Sequence, residues 1–129
     1  MKLYSAKIPI IAGSIVSTLI ADGDIEASEP REVEADLESV LKEYLRLDRE
    51  LTERAKDRAE SQGKGKDEVG RIKRTLAEQK GFGLGDEGIN WMLDQLISIL
   101  LRSNNVEEVF AEDATMRRKM RVVLQKNTA

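Results

Sequence analysis

Residues 33–51 read VEADLESVLKEYLRLDREL, and the apolar residues of this run recur at steps of four and three. The recurring apolar positions are Val33, Leu37, Val40, Tyr44, Leu47 and Leu51. Steps of this size place side chains on one face of an α-helix, and a seven-residue rhythm is typical of helices that pack along their length. We therefore predict a helix from about Glu32 to Glu60, roughly 40 Å long at 1.5 Å per residue.

A polar connection follows this helix. Residues 61–66 lack apolar anchors and contain two glycines, which favours a turn or a mobile tip. A second periodic segment begins at Asp67 and ends at Gly81. Because the connection is short, we predict an antiparallel helical hairpin over residues of about 32–80 that protrudes from the rest of the domain.

Three further helices are predicted outside the hairpin. They span about residues 5–21, 87–102 and 114–126. Pro9 falls in the first turn of its helix, where a missing N–H costs nothing, and Asp113 is expected to cap the last helix. The helix that begins at Asp86 or Glu87 has a wide apolar face that runs to Leu101 and is expected to lie in the core. The sequence thus predicts one all-α domain of five helices over residues 1–129.

The two ends of the chain share one plan, which indicates a weak internal repeat. An offset of 81 residues aligns the apolar positions of residues 8–20 with those of 89–101, and Ile25-Glu26 with Val106-Glu107. An offset of 83 then aligns the apolar positions of residues 33–41 with those of 116–124. Short periodic patterns are degenerate, so a chance match between amphipathic helices is the alternative. If the repeat is real, the two extended segments pair as a short two-stranded ribbon. Val109 and Phe110, which lie among the acidic residues 107–113, are expected to be core anchors.

The first 20 residues resemble a secretory leader, because Lys2 and Lys7 precede an apolar run. Leu19 occupies a position where a cleavage site ending at Ala21 prefers a small residue, and the run is too short to span a bilayer. The repeat also aligns this run with a core helix. We therefore expect a core helix here, a cytoplasmic protein and no membrane partner.

Composition excludes several classes of chemistry. The 129 residues include neither cysteine nor histidine, so thiolate metal sites, disulfides, Cys nucleophiles and His-based acid–base catalysis are all ruled out. The lack of cysteine is compatible with a reducing cytosol. We expect a protein that is not an enzyme and that carries no cofactor, metal ion or catalytic residue. An enzyme built on carboxylates alone is the third alternative.

Two motifs have simpler structural interpretations. Gly83, Gly85 and Gly88 spell the dinucleotide pattern GxGxxG, but a strand should precede it and here a basic helix does, so we interpret it as a glycine-rich corner between helices. The acidic residues between Glu107 and Asp113 are oxygen donors of the kind that Mg²⁺ and Ca²⁺ prefer, but their spacing matches no calcium loop.

Basic side chains are the best candidate surface. Residues 114–129 carry five basic groups and no acidic one, against a net charge of −3 for the whole chain. The candidate interaction residues are Arg117, Arg118, Lys119, Arg121, Lys64, Lys66, Arg71 and Arg74. A basic helix suits phosphate contacts, yet no aromatic residue interleaves these side chains for base stacking, and the helix can equally face the acidic half of its own chain. Both interpretations are open.

The long helix also predicts self-association. The second helix of the hairpin has only about 14 residues, whereas the long helix that it would cover has about 29. Part of the apolar stripe of the long helix is therefore expected to lack a partner within the chain. A homodimer would cover it.

The run Asn105-Val-Glu-Glu-Val-Phe-Ala-Glu-Asp113, followed by Met116-Arg-Arg-Lys-Met120, resembles a family of short bacterial proteins known only as a domain of unknown function. The segments Lys2-Leu3, Ile8-Pro9 and Lys80-Gly-Phe-Gly83 are similar too, so the resemblance covers nearly the whole chain. It implies a bacterial, cytosolic, helical protein and supplies no site residues.

Together these observations predict a non-enzymatic interaction or scaffold protein that acts through its hairpin or its basic last helix. The partner is expected to be another protein or a second copy of the chain. An RNA- or ribosome-associated protein that uses the basic last helix is the alternative.

Overall fold

The longest element of the computed structural model, which describes residues 1–129, is α2. It runs Pro30–Ser61, slightly beyond the predicted bounds, with the proline in its first turn. The other α-helices are α1 (Ile8–Ala21), α3 (Val69–Lys80), α4 (Glu87–Arg102) and α5 (Asp113–Asn127), and the strands are β1 (Ile25–Glu26) and β2 (Glu108–Val109). Short 3₁₀ turns at Ser5–Lys7 and Lys66–Glu68 lead into α1 and α3. The five predicted helices and the ribbon are confirmed.

The apolar stripe of α2 is buried along the whole helix. Its buried side chains are Val33, Leu37, Leu41, Tyr44, Leu47, Leu51, Ala55 and Ala59. Leu41 takes the place predicted for Val40, which is only half-buried, because a straight helix repeats every 3.6 residues rather than 3.5. The expectation that part of this stripe lacks an intrachain partner is therefore wrong.

Three helices of the chain cover that stripe. α1 and α4 pack on α2 together with α3. Asp36 accepts a hydrogen bond from Ser103, just after α4, while Tyr44 contacts Trp91 near its start, so α4 runs antiparallel to the first half of α2. Farther along α2, Lys73 of α3 pairs with Asp48 at 2.7 Å. The far end of α2 is thus covered by α3, and these two helices form the arms of the hairpin.

A single core of 29 buried apolar residues lies between α1, α2, α4 and α5 and continues into the hairpin, where α3 contributes to it. α1 packs on α2 and α5, and α4 packs on the same two helices. This is the contact pattern expected if α1 corresponds to α4 and α2 to α5, as in the predicted repeat. The run that resembles a leader is the buried helix α1, with Ile11 and Leu19 fully enclosed. None of the five helices combines the length and the apolarity needed to span a bilayer.

The two strands form an antiparallel ribbon that pairs Ile25 with Val109 and Glu26 with Glu108. Successive side chains of a strand point to opposite sides, so Val109 faces Ile25 and the core while Phe110 points away. Phe110 is 62% exposed, which corrects its prediction as a core anchor. Leu101 is also 62% exposed, because it lies one step around the helix from buried Leu100, beyond the edge of the apolar face.

Candidate interaction surface

The basic side chains of α5 are partly neutralised within the chain. Arg117 pairs with Asp94 at 2.7 Å and with Asp113 at 3.1 Å. These hydrogen bonds, first to Asp94 and then to Asp113, raise the pKa of the Arg117 guanidinium. The prediction of Asp113 as the N-cap is wrong. Asp113 is the first residue of the helix and pairs with Arg117, while Glu112 occupies the N-cap position.

Lys119 is held by two carboxylates that follow α1. Its ammonium lies 2.5 Å from Asp24 and 3.0 Å from Asp22, and these hydrogen bonds raise its pKa. Asp24 is only 7% exposed, so Lys119 neutralises a nearly buried charge. Arg121 donates to the side-chain carbonyl of Asn90 at 3.1 Å, while Arg118 is exposed and has no ion pair. Of the four predicted residues on α5, Arg117 and Lys119 therefore form ion pairs within the chain.

The other predicted residues belong to the hairpin tip, which we define as residues 54–74. This segment holds eight basic and four acidic side chains, a net charge of +4, against −7 for the rest of the chain. Two ion pairs involve its own carboxylates or the one next to it: Arg71 with Glu68, and Lys56 with Glu53 at 3.6 Å. The hairpin tip is therefore net positive, while the rest of the molecule taken together is net negative.

The turn of the hairpin is an ordered structure. Gly63 has a φ of +67°, its N–H donates to Glu60 at 3.1 Å, and the N–H of Lys64 donates to Ala59 at 2.8 Å. These two bonds are the Schellman motif that ends many helices, with Gly63 in the left-handed position. Because the motif fixes the backbone of Lys64, it places this lysine beside α2 and α3 rather than on a mobile loop.

Three basic side chains from three elements line one groove at this turn: Arg58 of α2, Lys64 of the turn and Arg71 of α3. This tip groove encloses about 220 Å³, and its remaining lining residues are Ile72 and Thr75. No carboxylate lines it. Arg58 and Lys64 have no ion pair, while Arg71 is bound to Glu68 at the side. The arrangement is a preformed cationic recess over the buried side chain of Ile72.

Lys64 also borders a second, larger cavity of about 620 Å³, which Lys56 and Lys66 line together with Glu60. Of the hairpin residues predicted from the sequence, Lys64, Lys66 and Arg71 therefore lie together. Arg74 does not join them, because it lines a separate cleft beside Phe82.

The tip groove and the basic helix α5 do not form one continuous surface. Arg121 bonds to Asn90 at the start of α4, which lies near Tyr44, whereas the α2 residue that lines the groove is Arg58. Arg58 follows Tyr44 by 14 residues, about 21 Å along α2. The broader patch that joins hairpin and last helix is therefore not present.

Sequence reasoning missed Arg58. It is one of several charged residues in a mixed run on the exposed face of a long helix, and such a run gives no local signal. Only the turn at Gly63, which folds α3 back beside α2, brings Arg58 next to Lys64 and Arg71.

The GxGxxG segment is a helix–helix corner, as interpreted from the sequence. A Cβ on Gly83 would overlap the backbone carbonyl of Glu87, and one on Gly88 would lie 2.5 Å from the hydroxyl of Tyr44. Tyr44 stacks on Phe82 with ring centroids 4.8 Å apart and packs against Trp91. Burial, followed by the nearby charge of Asp48, raises the pKa of Tyr44 to about 12. The glycines therefore admit a tightly packed aromatic cluster.

The distinctive acidic run before α5 has structural roles. The Glu107 carboxylate accepts hydrogen bonds from the N–H and hydroxyl of Ser28 at 2.8 and 2.6 Å, just before α2. Asp113 pairs with Arg117, and Val109 pairs with Ile25 across the ribbon. The contacts of Glu107 and Val109 fasten the second half of the chain to the first, while that of Asp113 lies within α5.

The structure thus defines an all-α protein with four helices around one core and a helical hairpin whose tip is basic. The family model described as "Protein of unknown function (DUF507)" matches residues 1–129, and the chain belongs to this family. No curated protein matches the chain.

Proposed function

We infer that this is a non-enzymatic interaction protein whose hairpin tip binds an acidic surface of another protein. The observation that carries the proposal is the tip groove, where Arg58, Lys64 and Arg71 converge with no carboxylate in the lining. Groups already paired within a chain gain little from a new partner, whereas Arg58 and Lys64 are available to one.

The charge distribution favours the hairpin tip as the point where an acidic partner meets the molecule. A net charge of −7 outside residues 54–74 repels an acidic partner, while the +4 tip attracts it. Complementary charge of this kind orients the encounter and raises the association rate more than it raises affinity. For an acidic partner, the tip is therefore the end of the molecule that net charge favours.

The basic last helix is a weaker candidate than the hairpin. Arg117 and Lys119 are engaged with Asp94, Asp113, Asp22 and Asp24, so freeing them for a partner would expose unpaired carboxylates. The argument for a homodimer through α2 no longer applies, because the apolar stripe of that helix is buried within the chain. A second protein is therefore the partner that we propose, with the cytosol as its predicted location.

RNA is the second candidate ligand, and the unpaired lysines and arginines of the hairpin tip favour it. Residues 54–74 contain no aromatic side chain on which a base can stack, and the acidic body repels an extended phosphate backbone. These two features rank an acidic protein ahead of RNA.

Site-specific photo-crosslinking in the native cell tests the proposal. Gln62 at the tip and Gln125 on α5 are both exposed glutamines and give matched positions for a photoreactive amino acid. We expect a discrete protein adduct from position 62 and none from position 125. An adduct from position 125 alone, or an adduct at 62 that nuclease destroys, would contradict a protein partner at the tip.

A further inference from the structure

We propose that the tip groove is a phosphate-binding site that receives a phosphorylated side chain of the protein partner. This proposal rests on the proposed function for the source of the phosphate, but the site itself is defined by Arg58, Lys64 and Arg71. It names the chemical group that the hairpin recognises.

The charges of the groove match a phosphate better than a carboxylate. The three cations bring +3, and Glu68 beside Arg71 reduces this to +2. A phosphoryl group carries about −1.5 to −2 charges at neutral pH and offers three acceptor oxygens, whereas a carboxylate carries one charge and two oxygens. A single carboxylate would leave one positive charge of the groove uncompensated, because Glu68 already pairs with Arg71.

The groove is also preformed for such a group. Lys64 is positioned by the Schellman motif, while Arg58 and Arg71 project from helices that pack on each other. Ile72 below them is 8% exposed and forms an apolar floor, while the three basic side chains are exposed and so remain accessible to an anion from solution. The volume of about 220 Å³ equals several waters at about 30 Å³ each, which is enough for a five-atom oxyanion.

Glu68 is an internal competitor for the site. Its carboxylate occupies one side of the Arg71 guanidinium, whose remaining N–H groups are free to bind an anion. A bound phosphate would share or displace this contact. Removing the charge of Glu68 should therefore strengthen phosphate binding, while removing that of Asp67, which has no ion pair with Arg71, should strengthen it less.

The test is a nuclear magnetic resonance titration of the full chain, with the arginine side chains labelled with ¹⁵N. Inorganic phosphate and O-phosphoserine are the probes, with sodium chloride adjusted to keep the ionic strength constant. We expect saturable shifts of the Arg58 and Arg71 side chains with both probes. Arg58→Gln and Lys64→Gln should weaken binding at least tenfold, Arg54→Gln less than twofold, and Glu68→Gln should tighten it more than Asp67→Asn does.

Shifts that grow linearly without saturation, or an equal loss in Arg54→Gln, would overturn the site. If a short RNA oligomer saturates the same side chains at far lower concentration than O-phosphoserine, a protein-borne phosphate is overturned. The crosslink at position 62 separates the two proposals. When the lysate is treated with phosphatase before irradiation, an adduct that still forms contradicts the phosphate site and retains the function, whereas saturable phosphate binding without any adduct contradicts the function and retains the site.

Discussion

Replacing Gly63 by alanine should destabilise the protein, while the same replacement at Gly70 should not. Both glycines lie in the hairpin, and in both cases a Cβ would meet no atom within 4 Å. The two positions differ in backbone conformation, because Gly63 has a φ of +67° whereas Gly70 is the second residue of α3. The pair therefore separates backbone strain from packing.

The magnitudes follow from that difference. An alanine in the left-handed conformation costs about 1–2 kcal/mol, since its Cβ approaches the following carbonyl. Alanine in place of glycine within a helix gains about 0.5–1 kcal/mol, and a position in the first turn should give the lower end of that range. With an m-value of about 1.5 kcal/mol per molar urea, Gly63→Ala should lower the unfolding midpoint by about 0.7–1.3 M.

Urea unfolding followed by circular dichroism measures both variants under one set of conditions. The midpoint of Gly70→Ala should equal or exceed that of the parent protein. If Gly63→Ala leaves the midpoint unchanged, the turn is not held in the Schellman motif, and the placement of Lys64 in the groove fails with it. Equal losses in both variants would also refute the reasoning, because they would show that a Cβ clashes at both positions.

Three further predictions concern the body of the protein. Gly88→Ala should destabilise it by about 2 kcal/mol in the same urea assay, because the new methyl group overlaps the rigid ring of Tyr44; a neutral effect would refute the packing of this corner. In Tyr4→Phe, where Tyr44 is the remaining tyrosine, absorbance at 295 nm should titrate with a midpoint of about 12, and stability present below about pH 10 should be lost as the pH rises towards 12; a midpoint near 10 would contradict the burial of Tyr44. Lys119→Gln should lower the melting temperature and Arg118→Gln should not, because only Lys119 neutralises a nearly buried carboxylate; equal melting temperatures would contradict that role.

The helices were predictable because the information that specifies them is local. Residues 33–51 carry their periodicity in consecutive positions, and the glycines after α1 and α3 terminate helices where the sequence indicates. The ribbon was predictable because the two extended segments occupy corresponding places in the two ends of the chain. These features need no knowledge of which helix faces which.

The remaining features depend on tertiary structure. Leu101 continues the apolar run of α4 in sequence, but it is exposed because it lies one step around the helix from buried Leu100, beyond the edge of the face that packs against other helices. Whether Lys119 is free for a partner depends on Asp22 and Asp24, which are nearly a hundred residues away in the chain. Arg58 becomes part of a groove only through the turn at Gly63. Candidate surface residues were therefore identified by type, while their pairing was not.

The most direct test compares two charge-matched triple variants in the crosslinking experiment at position 62. One variant carries Arg58→Gln, Lys64→Gln and Arg71→Gln, and the other replaces three residues of α5 that have no ion pair, Arg118, Arg121 and Lys126, by glutamine. The tip variant should lose the protein adduct, and the α5 variant should retain it. Loss of the adduct in the α5 variant with retention in the tip variant would contradict the assignment of the hairpin tip as the interaction surface.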